Sequence, residues 1–81
     1  MDKRAKAKRA ESLLADEVLQ EAFDVVSEYH TSVFKRVSAT EAEVLEARRR
    51  LMSLNEVKGQ LRSFVGTGKL LAKKDQDRVN D

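Results

Sequence analysis

Between Val18 and Val37 a stripe recurs at intervals of three and four residues: Val18, Leu19, Ala22, Phe23, Val26, Tyr29, His30, Val33, Phe34 and Val37. This spacing lines one face of a helix about 20 residues and roughly 30 Å long. No proline interrupts it, and the 81-residue chain contains none. The rest is rich in Ala, Leu, Glu, Lys and Arg, residues that lose little on entering a helix. An all-α fold is expected. With no cysteine there is no disulfide or thiolate metal site to brace so short a chain. Stability must therefore come from helix packing or from partners. The apolar runs are two or three residues long, too short for a membrane span or a signal-peptide core, so no membrane partner and a cytoplasmic or virion setting are expected.

Local signals divide the chain into three parts. Residues 1–15 form a basic N-terminal arm, with Lys3, Arg4, Lys6, Lys8 and Arg9 among alanines and little apolar surface before Leu13 and Leu14; it reads as helical or fraying. Residues 16–68 read as two long helices. Asp16 either caps a new helix or lies within a continuous one. Near residue 38, Ser38 with Glu41 and Thr40 with Glu43 both fit a capping box, in which hydroxyl and carboxylate each satisfy a backbone N–H. The next helix carries Val44, Ala47, Leu51, Leu54, Val57, Leu61, Phe64 and Val65 on one stripe, and Gly66 or Gly68 is expected to stop it. Gly59 lies inside that helix, marking either a close helix approach or a tolerated weak spot. Residues 69–81 are expected to be a polar C-terminal tail, with Leu70 and Leu71 folding back. Two long helices joined by a few residues make an antiparallel αα-hairpin, which leaves each helix half covered; a dimeric four-helix bundle, docking of the N-terminal segment or attachment to a larger assembly would cover the rest, and an oligomer is expected.

Charge is sorted to match. Glu11, Asp16, Glu17, Glu21, Asp24 and Glu28 occur with no Lys or Arg from residue 11 to 34, whereas residues 48 to 74 hold eight bases and one acid, Glu56. An antiparallel fold is expected to set Lys58, Arg62 and Lys69 near the acidic start, and Lys35 and Arg36 near Glu41, Glu43 and Glu46. Net charge is only +2.

Catalytic and metal chemistry find little support. His30, the single histidine, has no second histidine or cysteine to share a metal and reads as structural. The acid clusters lack the alternating ligands and central glycine of a calcium loop. The serines have no paired general base. Gly66 to Lys69 lacks the frame of a phosphate loop and follows a helix, so it reads as a helix end. No cofactor, metal or enzyme activity is expected. Nucleic acid is an alternative partner: Lys3, Arg4, Lys6, Lys8, Arg9 and the run Arg48, Arg49, Arg50 could contact phosphates. With no aromatic residues interleaved, such contact would be independent of sequence.

The stretches Ala10 to Leu14, Leu19 to Phe23, Tyr29 to Phe34, Glu46 to Leu51 and Leu54 to Val57, with Leu61, Arg62 and Gly66 to Lys69, resemble small helical proteins of tailed bacteriophages over residues 10–70. In that group the position near Val33 or Phe34 often holds tryptophan, which this chain lacks. The resemblance implies a virion-associated or assembly protein without catalytic activity.

The leading expectation is a non-enzymatic helical interaction protein. It oligomerises or docks through Leu19, Phe23, Val26, Val33 and Phe34 against Leu51, Leu54, Leu61 and Phe64. The alternatives are a nucleic-acid-associated regulator or packaging accessory using the basic segments, and a small inhibitor of a host or defence enzyme using Glu17, Glu21, Asp24 and Glu28.

Overall fold

A computed structural model describes the backbone of residues 1–80 and the side chains of residues 1–78. The described chain is all-helical, with α1 (Lys3–Ala15), α2 (Glu17–Lys35) and α3 (Glu41–Asn80). Each start has a side-chain cap. The Asp2 carboxylate accepts from the Ala5 amide at 2.7 Å. Asp16 serves two helices: its amide donates to the Leu13 carbonyl at 3.2 Å, ending α1, and its carboxylate accepts from the Leu19 amide at 2.8 Å, starting α2. The Gln20 side chain reinforces the break by donating to the freed Leu14 carbonyl at 2.6 Å.

Of the two capping boxes, Thr40 with Glu43 is the one that forms. The Glu43 amide donates to Thr40 Oγ1 at 3.1 Å, and the Thr40 amide donates to Glu43 Oε1 at 3.2 Å. From there α3 runs for 40 residues. The expected stop at Gly66 or Gly68 does not occur. All three glycines have helical backbones without positive φ, and the expected tail over residues 69–80 belongs to α3. Leu70 and Leu71 continue the helix instead of folding back. Asp81 lies outside the described residues.

Helix α3 is the spine, about 60 Å at 1.5 Å per residue, and the molecule measures 64 × 23 × 20 Å. Both α1 and α2 pack on it, with little contact between themselves. Arg36 pairs with Glu43, Phe23 with Lys58, Ala7 with Gly68 and Arg4 with Asp75, so partner numbers on α3 fall as numbers on α1 and α2 rise. A methyl group built on Gly68 would overlap the Cβ of Ala7. At Gly68 α1 and α3 thus approach closely, and a residue of ordinary size there would push them apart. Gly59 has open space around it, so no close approach explains it. The core is thin: among the described residues Ala7, Ala10, Val33 and Ala47 are buried, and no large side chain is fully enclosed.

Candidate functional site

Because α3 has α1 and α2 laid end to end along one side, it divides their apolar residues into those it covers and those it leaves out. Of the sequence-predicted interface residues, Val33 is buried, and Leu19, Phe23, Leu51, Leu54, Leu61 and Phe64 are half-buried. Val26 and Phe34 are exposed. Further residues of the same helix, Val18 (75% exposed), Val25 (59%) and Tyr29 (70%), face outward. With Ala22, the three lie at intervals of four, three and four, which makes a second stripe beside the one turned to α3. Val25 had no place in the first stripe. The signal for it was present in the interval from Val18, but a broad apolar arc does not announce which part a partner helix will cover. On α3, Leu45, Met52, Val57 and Leu70 are also exposed.

Two aromatic rings on the seam are covered by lysines. The Lys58 ammonium lies 5.1 Å from the centre of Phe23, and that of Lys6 lies 4.8 Å from the centre of Phe64. Each lysine extends its aliphatic stem over apolar surface and keeps its charge near the ring face. His30 stands edge-on to Tyr29, with ring centres 5.2 Å apart. Both border a trough with Val33, Arg36, Glu46 and Arg50. Among the described residues, no group of three or more His, Cys, Asp or Glu is placed to hold a metal ion. No described helix is long and apolar enough to cross a membrane.

The charges follow the opposed blocks in part. At the turn, Arg36 reaches Glu43 at 3.3 Å. The Thr40 amide and hydroxyl, with Arg36 beside them, hold the Glu43 carboxyl below its ordinary range. Asp24 shares a groove with Lys58 and Arg62. Farther along, however, the basic arm docks on the basic end of α3. There the groove holds Arg4, Lys8 and Lys69 beside Glu11 and Asp75, and Arg4 bridges Asp75 at 2.6 Å. Residues 1–15 and 61–80 carry ten bases and four acids, a formal side-chain charge of +6. Residues 16–60 carry six bases and nine acids, or −3.

The two sequence-predicted basic segments are not brought together. Arg49 and Arg50 both bridge Glu46, at 3.5 and 2.9 Å, near the turn. From there to Asp75, where Arg4 sits, is roughly 39 Å of helix. The arm is joined by Arg62, Lys69, Lys73, Lys74 and Arg78, which sequence reasoning had not grouped with it.

Against known proteins, no family model, no curated protein and no solved structure matches this chain.

Proposed function

We propose that this protein is a non-enzymatic helical interaction protein, an antiparallel αα-hairpin that self-associates by burying the outer stripe of α2. The observation that carries this reading is the exposure of Val18, Val25 and Tyr29 on one stripe while no large side chain among the described residues is fully enclosed. Full burial of a valine is worth about 1.5–3 kcal/mol, so a second copy offers this chain apolar burial beyond that of its own thin core. In the setting suggested by its resemblance to tailed-phage proteins, the association would serve virion assembly.

Light scattering coupled to size exclusion tests this directly. A discrete oligomer is expected for the native chain, and a helical monomer for Val25→Asp. A native chain that runs as a monomer and melts at the same temperature as Val25→Asp would sink the reading.

A second reading, sequence-independent contact with a nucleic-acid backbone, is favoured by the ten bases on one half of the molecule. Its test is anisotropy of a labelled random duplex at increasing salt. This reading requires log affinity to fall linearly with log salt, whereas no binding at low salt would eliminate it.

A further inference from the structure

We propose that self-association is reciprocal and antiparallel: the acidic outer face of α2 in one copy lies along the basic half of a second copy, and the second copy returns the contact. This inference rests on the self-association reading and adds its register. Helix α2 presents an apolar stripe bordered by Glu17, Glu21 and Glu28, and residues 17–34 contain no Lys or Arg. Pairing α2 with α2 would therefore set carboxylates against carboxylates across the contact, which is unfavourable. Stacking two copies in parallel would repeat the fault and also set the +6 half on itself. Antiparallel pairing over the full length faces each +6 half with a −3 half.

The dimensions agree. The 19 residues of α2 span about 28 Å, and residues 61–80 of α3 span about 30 Å. The basic half also offers something for the stripe to lie on, with Leu13 and Leu70 exposed and the aliphatic stems of its lysines beside them. Tyr29, exposed on α2, is an aromatic ring within reach of such cations in a second copy. Because each copy gives and receives the same contact, a two-fold axis closes the pair and no surface is left to propagate a filament. A standard interface takes about 800 Å² from each partner, a small part of the 6718 Å² that one chain exposes.

Charge exchange tests the register. Glu21→Lys with Glu28→Lys reverses the acidic face, and Arg9→Glu with Lys74→Glu reverses the basic half. Each double variant alone is expected to dimerise more weakly by on the order of tenfold or more. An equimolar mixture is expected to recover a heterodimer, with circular dichroism showing that every variant remains helical. A mixture no tighter than either variant alone would overturn the proposal. The absence of cysteine allows a second measurement with single introduced thiols. Val25→Cys mixed with Leu70→Cys is expected to cross-link through a short bismaleimide. Predominant Val25→Cys self-cross-linking would overturn the register while leaving self-association intact. A native monomer that binds duplex DNA through its basic half would overturn both.

Discussion

The two halves of the rod use the same spine in opposite ways. Where α1 meets α3, small residues set a close approach: Ala7 and Ala10 are buried, and Ala7 comes so near Gly68 that a methyl group there would overlap it. Where α2 meets α3, the side chains are large, Leu19, Phe23, Leu51 and Leu54 among them, yet they are only half-buried. Each half nevertheless buries two residues, Ala7 and Ala10 in one and Val33 and Ala47 in the other, so the less hydrophobic half is sealed no worse. Closeness of approach depends on side-chain size, and bulky residues on a two-helix seam project past the partner unless a further surface covers them.

The largest effect that would break this contrast is expected from Ala10→Leu, because Ala10 is only 2% exposed. Overpacking that contact should cost about 1–3 kcal/mol. Hydrogen exchange should show α1 losing protection while α2 keeps its own. Next comes Thr40→Ala, which removes the hydroxyl half of the α3 capping box and should cost about 1 kcal/mol, read as a lower melting temperature. The glycines sharpen the comparison through the sign of their effects. Gly59→Ala should stabilise by up to about 1 kcal/mol, the helix-propensity difference, since its surroundings are open. Gly68→Ala gains the same propensity but collides with Ala7, so its midpoint in urea should fall.

The smallest effect concerns pH. The Glu43 carboxyl titrates lower in the folded chain than its ordinary value. Its contribution is therefore complete above the usual carboxylate range and is lost as pH falls through the folded value. Thermal melts from neutral to acid should show the native chain losing this increment, and Glu43→Gln should lack that part of the pH dependence.

The helical character was legible because spacing and the absence of proline leave few alternatives, and the Thr40 box was legible because it is written in four consecutive residues. The end of α3 was not. Gly66 and Gly68 carry the ordinary mark of a helix stop, and only the neighbouring α1 reveals Gly68 as a clearance for Ala7. That clearance left no apolar signal, since alanine counts for little in a hydrophobic pattern. Similarly, the stripe on α2 could be read as apolar, but its division between Leu19, Phe23 and Val33 toward α3 and Val18, Val25 and Tyr29 outward depends on where the spine lies. The basic half was hidden for the same reason: its bases sit at the two ends of the sequence and meet only through docking of α1.

The double duty of Asp16 has a consequence for how disruption spreads. Since its carboxylate supplies the first turn of α2 with an acceptor, α2 does not borrow its beginning from α1. Unwinding that starts at the N-terminus therefore meets a firebreak at residue 16. The arm can be lost, cut or pulled away while the helix behind it keeps its own foundation.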